Sequence, residues 1–212
     1  MPRGRFITFE GGEGAGKTTQ LRLLGERLQR RGLTPCLTRE PGGCPLAERI
    51  RGLLVGGTGT DAPMTPETEL LLMVAARAQH VAEVIRPALA RGDWVLCDRF
   101  NDSTLAYQGH GRGLDRDWIA HLIRQATGGL QPDRTYLLDL DPRVGLARSR
   151  GGAMDEARFE GEGLAFHQRV REGFLDLARR APERFRVQEA AAALEAVAER
   201  IWRETERDWL RV

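Results

Sequence analysis

Eight residues near the start of the chain, Gly11-Gly12-Glu13-Gly14-Ala15-Gly16-Lys17-Thr18, carry the spacing G-x-x-x-x-G-K-(S/T). An apolar stretch, Phe6-Ile7-Thr8-Phe9, precedes them, and a helix-forming stretch from Gln20 to Arg31 follows. A strand, a glycine turn and a helix N-terminus are the context in which this spacing makes a phosphate-binding loop. Glycines let successive backbone N–H groups turn inward around a phosphate chain, because no Cβ blocks the approach. Gly11, Gly12, Glu13, Gly14, Ala15, Gly16, Lys17, Thr18 and Thr19 are therefore the candidate ATP loop. Lys17 is expected to reach the outer phosphates, and the Thr18 hydroxyl to ligate Mg²⁺. The motif joins a strand to a helix and so commits the start of the chain to an α/β unit.

The rest of the chain repeats that alternation. Strands are expected at residues 5–10, 35–39, 94–98, 135–139 and 184–188, where short apolar runs suit strands covered on both faces. One helix starts after Thr65, a capping residue, with Pro66 at its first position, and runs to about Ala90, with Gly92 as its stop. Another begins at Asp141-Pro142, and the last covers about 190–209. The reading is one domain over residues 1–212 with a P-loop NTPase fold: a five-stranded parallel sheet with helices on both faces. Two glycine-rich stretches, 56–60 and 151–154, are expected to be flexible, and the second falls in a mobile lid over about 148–160.

Composition narrows the class. The chain has 212 residues, 41% of them hydrophobic and 29% charged, enough for a sizeable core in a soluble protein. A net charge of +2 is too small to argue for nucleic acid or membrane as the main partner, and neither is expected. Cys36, Cys44 and Cys97 are odd in number and lack metal-ligand spacing, which points to reduced thiols. With no secretory signal and no apolar run of membrane-spanning length, a cytoplasmic location is expected.

Three further segments bear on a second substrate. Asp98-Arg99 closes the strand 94–98, on the edge of the sheet where ligands bind in open α/β folds. Asp98 is placed to hold Mg²⁺ with Thr18, and Arg99 to grip a phosphate. A simple Asp–Arg ion pair at a strand end is the plainer alternative. Thr38-Arg39-Glu40-Pro41-Gly42-Gly43 follows the second strand on the same rim, a tight turn presenting Arg39. Met73 and Arg77, four residues apart, share a face of the long helix. Taken singly, Met73 reads as core and Arg77 as a snorkelling surface residue. His80, His110, His121 and His167 form no ligand spacing, and Trp118, Trp202 and Trp209 read as core or interface.

Together these segments resemble the thymidylate kinase family, which converts dTMP and ATP to dTDP and ADP on the way to dTTP. Residues 9–20, the run from Thr38 to Gly43, and Asp98-Arg99-Phe100 with Ser103 and Ala106-Tyr107-Gln108 carry the resemblance across the chain. It implies that Glu13 faces the 3′-hydroxyl of dTMP, that Arg39 and Arg99 hold its phosphate, and that Arg77 donates to a thymine carbonyl. It places Met73, Ser103, Thr104 and Gln108 around the nucleotide, and Tyr107 beneath the deoxyribose, where a ribose hydroxyl would clash. It also implies a homodimer built from helix faces; the apolar helix Leu70–Leu89 is a candidate contact, and burial within one chain accounts for its pattern equally well. Met73 stands where the family commonly has an aromatic ring, and Cys44 where threonine is common. Gly14 stands where some members carry an arginine, so the resemblance moves the catalytic cations into the lid: Arg148 and Arg150, with Arg158 at its exit. The rival readings are another nucleoside or deoxynucleoside monophosphate kinase, a P-loop regulatory ATPase, and a non-catalytic nucleotide binder.

The implied chemistry needs no general base, since a phosphate monoester with a second pKa of about 6 is mostly dianionic at neutral pH. The obstacle is electrostatic: two like charges ~4 Å apart repel by about 4 kcal/mol at an effective dielectric near 20. Lys17, Arg39, Arg99, the lid arginines and Mg²⁺ offset it. Removal of Tyr107 tests the implied steric gate. Tyr107→Ala is expected to admit ribothymidylate, read as a lower ratio of kcat/KM for dTMP over ribothymidylate; an unchanged ratio counts against the gate.

Overall fold

Phe6–Glu10 (β1) is buried at all five positions, as a strand covered on both faces must be. The other strands are Pro35–Arg39 (β2), Trp94–Asp98 (β3), Arg134–Asp139 (β4) and Phe185–Glu189 (β5). They pair in the order β2-β3-β1-β4-β5, and every pairing is parallel. The structure, a computed structural model, describes residues 4–56, 63–149 and 162–210. The expected strands are all present: β2 and β3 have the expected bounds, and β1, β4 and β5 differ by one residue. β4 starts at Arg134 because that residue already pairs with Ile7.

Lys17–Arg30 (α1) follows the glycine loop directly, starting three residues ahead of the sequence expectation because Gly16, at φ +88°, turns the chain into the helix. Pro45–Gly56 (α2) follows β2. Pro66–His80 (α3) opens as expected, the Thr65 hydroxyl accepting the Thr68 N–H at 3.2 Å. It continues through a π-helical turn, Val81–Ile85, into Arg86–Ala90 (α4). Pro87 has no N–H to give to residue 83, and the helix widens there, with Arg86 donating to the Val81 carbonyl. Asn101–Thr104 (α5) runs into a second π-helical segment, Leu105–Gly111. Arg116–Thr127 (α6), Pro142–Ser149 (α7), Leu164–Arg180 (α8) and Leu194–Trp209 (α9) complete the described helices. The last begins four residues later than expected, because Ala190 still donates to Asp139 O in the manner of the strand ladder.

Alternation along the strands divides the core. Ile7, Phe9, Leu96, Tyr136 and Leu138 pack against Leu21, Leu24 and Leu28 of α1 and Val197 and Ile201 of α9. On the opposite face Leu137 and Phe185 meet Tyr107, Phe166 and Phe174, while Phe6, Val95 and Cys97 meet Val81, Ile85 and Phe100. Trp202 and Trp209 pack on the first layer, whereas Trp118 is exposed. Cys36, Cys44 and Cys97 are free thiols. Among the described residues no helix is long and apolar enough to cross a membrane. The glycine run at 57–60 lies outside the described residues.

One charged group sits inside the second layer. Asp102 is buried and accepts both forks of Arg184, at 2.6 and 2.9 Å, and Arg184 also reaches Thr135 Oγ1 at 2.6 Å. Removing one partner strands the other in low dielectric. Arg184→Ala is expected to cost about 3–5 kcal/mol in urea unfolding; a loss under about 1 kcal/mol would mean that Asp102 is rehydrated.

Candidate active site

The carboxyl ends of β1, β2 and β3 lie side by side, so the loops that follow them share one rim of the sheet. On that rim opens a cavity of about 620 Å³. Glu13, Thr18, Asp98 and Arg99 line its phosphate-loop side, and Arg39, Met73, Arg77, Ser103, Thr104, Tyr107 and Gln108 line it elsewhere, together with residues of the loop after β2 that include Thr38 and Glu40. All nine residues expected around the acceptor are thus brought to a single space, including Met73 and Arg77 from one face of α3.

The glycine loop wraps the start of α1. Gly14 has φ +63°, and a Cβ on it would stand 2.2 Å from the Gly145 carbonyl oxygen in α7. Lys17 is buried and its Nζ donates to Gly12 O at 2.8 Å. Burial, and then the neighbouring Arg99 charge, bring its pKa down to about 8. The Thr18 hydroxyl donates to Asp98 Oδ2. A hydroxyl and a carboxylate in contact at this point are hard oxygen donors, the kind Mg²⁺ takes alongside phosphate and water oxygens. Among the described residues no group of three or more His, Cys, Asp or Glu could hold a metal, so a cation here would rely on those two side chains and its ligand.

Arg99 has φ +66°, a conformation that costs of order 1–3 kcal/mol in a residue other than glycine. Its N–H donates to Phe9 O, and its Nη1 donates to Gly11 O at 3.0 Å and Ser103 Oγ at 3.3 Å. Nη2 meets both Glu13 oxygens at 3.1 Å. The Tyr107 hydroxyl donates to Glu13 Oε1 at 2.5 Å, and its ring lies 5.0 Å from the Arg99 guanidinium carbon. Burial alone would raise the Glu13 carboxyl, but Arg99, Lys17 and the Tyr107 hydroxyl hold it below the usual range. Burial pushes the Tyr107 phenol well up. Glu13, expected to face a substrate hydroxyl, is thus already engaged by protein donors.

Across the cavity, Arg77 is buried. Its Nε donates to Glu40 Oε2 at 2.6 Å, and its Nη2 donates to Phe100 O at 3.1 Å and Thr104 Oγ1 at 3.0 Å. Arg39 is exposed and pairs with Glu48 at 3.1 Å. Gln108 donates to the buried carboxylate of Glu69 at 2.8 Å. Arg148 stands apart: it is exposed at the end of α7, does not line the cavity, and its Nη1 lies 3.4 Å from Ala190 O. Arg150 and Arg158 lie outside the described residues. Sequence reasoning passed over Glu10, Glu40 and Glu69. Glu10 did leave a signal, a carboxylate closing an otherwise apolar strand; Glu40, inside a turn sequence, left none.

The thymidylate kinase family model matches residues 9–201. A thymidylate kinase of Magnetococcus marinus is 56% identical over 204 residues, covering 96% of each chain. One of Thermomicrobium roseum is 55% identical over 197 residues, covering 93% of this chain and 92% of its own. Among solved structures, the thymidylate kinase from Ehrlichia chaffeensis superposes with a TM-score of 0.76 at 35% identity, covering 96% of this chain and 99% of that one.

Glu10 lies behind Arg99, fully buried. Its Oε1 accepts the Phe100 N–H at 2.8 Å and its Oε2 accepts the Ser103 hydroxyl at 2.5 Å. Burial, then the Asp102 charge, push its pKa from 4.5 up to about 7, against the pull of Ser103, Arg99 and the Phe100 N–H. The folded state then binds one more proton than the unfolded chain between pH 4.5 and about 7, so this group's stabilisation is full at the acid end and lost by the upper end. Glu10→Gln, which cannot titrate, is expected to gain stability relative to the parent as pH rises from about 5 to 8. Denaturant unfolding at four pH values reads the difference, and a constant offset would exclude Glu10 as the titrating group.

Proposed function

This chain belongs to the thymidylate kinase family, and from that premise we propose how its own residues carry the transfer of a phosphoryl group from ATP to dTMP. It is a nucleoside monophosphate kinase. The observation that carries the reading of its residues is the single cavity in which Arg39, Arg77, Arg99 and Tyr107 face the phosphate loop.

ATP is held along Gly11 to Thr19, with backbone N–H groups on the phosphates. Lys17 exchanges its internal contact with Gly12 O for the outer phosphates, whose charge restores its full protonation. Arg39 and Arg99 hold the phosphate of dTMP. Arg99 is held at the cavity wall by Gly11, Ser103 and Glu13 and exchanges part of those contacts for the phosphate. Arg77 serves the base, with Met73 packed on the same side as a polarizable platform. Tyr107, locked by its bond to Glu13, stands under the sugar. The acceptor is a dianion and attacks directly, so the protein's contribution is alignment and charge. Thr18 and Asp98 are the residues that would hold Mg²⁺, which supplies charge neutralisation at the transferring phosphate. Arg148 and Arg150 are assigned to the donor phosphates from the end of α7 and beyond.

The assembly is a cytoplasmic homodimer in this reading. Most of the apolar face of the helix Leu70–Leu89 is used within the chain, by Leu70, Val74, Val81 and Ile85. Leu71 of α3 and Leu46 and Leu53 of α2 are exposed and are assigned to the contact.

ADP release from ATP with Mg²⁺, measured separately with dTMP, dUMP, ribothymidylate, AMP, CMP and GMP, tests the whole reading. Strong release with dTMP, weaker with dUMP and little with the others is expected. Equal release without any acceptor would make the chain an ATPase rather than a kinase.

A further inference from the structure

A line of side chains runs from Arg77 along the wall of the cavity, through Glu40 to His80 and Thr38. Glu40 Oε2 takes the Arg77 Nε–H at 2.6 Å, and Glu40 Oε1 lies 2.9 Å from His80 Nδ1. His80 Nε2 lies 2.7 Å from Thr38 Oγ1. Arg77, Glu40 and His80 are all buried, His80 completely. An ionised carboxylate only accepts, so Nδ1 of His80 carries the proton in that contact. The loop after β2 is moulded around the ring: a Cβ on Gly43 would stand 2.4 Å from His80 Nε2 and 2.6 Å from Thr38 Oγ1.

The consequence falls on Arg77. Its Nε and Nη2 are committed to protein acceptors, and its guanidinium carbon lies 5.3 Å from the Phe100 ring centre. Nη1 is buried and has no hydrogen-bond partner among the described residues. Arg77 as a residue lines the cavity, and Nη1, closed off from solvent, is the guanidinium nitrogen that no acceptor among those residues takes. A free arginine side chain would lose about 2 kcal/mol of rotamer freedom on ordering. Here the charge-assisted bond to Glu40, itself steadied by His80, has ordered it before any substrate arrives.

We propose that Glu40 and His80 are positioning residues for base selection: they hold the Arg77 guanidinium in one orientation at the cavity wall and so set the preference for a C4 carbonyl over a C4 amino group. This rests on the assignment of Arg77 to the base. A guanidinium has donors and no acceptor, so a fixed one meets the amino group of dCMP donor to donor. A guanidinium free to turn away would tolerate it. The selectivity therefore lives in the immobility of Arg77 as much as in its charge.

The test compares kcat and KM for dTMP, dCMP and ATP in the full chain and in Glu40→Gln, His80→Asn, His80→Leu and Arg77→Lys. Glu40→Gln and His80→Leu are expected to lower the dTMP over dCMP ratio of kcat/KM about tenfold, one charge-assisted hydrogen bond's worth, through KM for dTMP and with KM for ATP unchanged. His80→Asn, whose amide nitrogen takes the place of Nδ1, is expected to keep the ratio within about twofold. If Arg77→Lys collapses the ratio while the Glu40 and His80 variants keep it, the positioning role is wrong and the role of Arg77 stands. If Arg77→Lys leaves the ratio intact, the base assignment is wrong and the proposal goes with it. A uniform loss toward all three substrates at constant ratio shows a merely structural role and also overturns it. Should Glu40→Gln not fold, the contrast between His80→Asn and His80→Leu decides.

Discussion

The ion pair of Arg99 with Glu13 ties together everything that surrounds the transferring phosphate. Glu13 belongs to the loop after β1 and Arg99 to the end of β3, so the pair fixes two strand ends to each other. It is buried, where an unpaired charge of either sign would be expensive. The Arg99 backbone is held at φ +66° by the Phe9 carbonyl above it, and its side chain is spread over Gly11, Ser103 and Glu13. Tyr107 completes the cluster from the π-helical segment after α5. Glu10 lies beneath and receives Ser103 and the Phe100 N–H, so the carboxylate layers alternate with the cations. A cavity meant for two polyanions thus keeps its arginines and its lysine from repelling one another by threading acids between them. The acids also orient the cations.

Much of this was legible in the chain, and unevenly. The glycine loop and the strand ends were readable because their residue types serve a single local purpose: a turn that needs glycine, or a strand closing on Asp-Arg. The sheet was readable because parallel strands buried on both faces are short apolar runs with little else to be. The residues lining the cavity came from resemblance, since nothing local marks Thr104 or Gln108 as facing the same space as Arg39. Glu40 shows the limit most clearly. Beside Pro41 and two glycines it reads as a turn residue, and only the approach of α3 reveals that it is buried against Arg77 and His80. His80 likewise has no sequence partner; its partners lie about forty positions away, on a different element. Long-range polar pairing leaves no period in a sequence, whereas burial in a strand or helix does.

The helix that carries Met73, Arg77 and His80 has the same lesson in its backbone. A continuous helix to about Ala90 was expected, and the chain does keep that course. Pro87 removes one donor, and the turn before it widens by a residue. The widening lies on the far side of His80 from the cavity, so the three site residues stay on regular helix while the remainder re-aims Val81, Ile85 and Ala88 onto Phe6 and Val95. The Leu105–Gly111 segment does the reverse: the widened turn itself bears Tyr107 and Gln108 and presents both to the cavity.

Gly14 closes the argument about where positive charge can come from. A Cβ there would stand 2.2 Å from the Gly145 carbonyl, and a Cβ on Gly145 would stand 2.2 Å from the Glu13 carbonyl. Each glycine is required by the backbone of the other's segment, and the phosphate loop and α7 touch main chain to main chain. No side chain, and so no arginine, fits at residue 14 without moving α7. Lys17 is then the cation that the loop itself supplies. Helix α7 begins against the phosphate loop and ends at Ser149, which lines the cavity. The contact that excludes a side chain from residue 14 therefore also fixes how α7 lies against the phosphate loop.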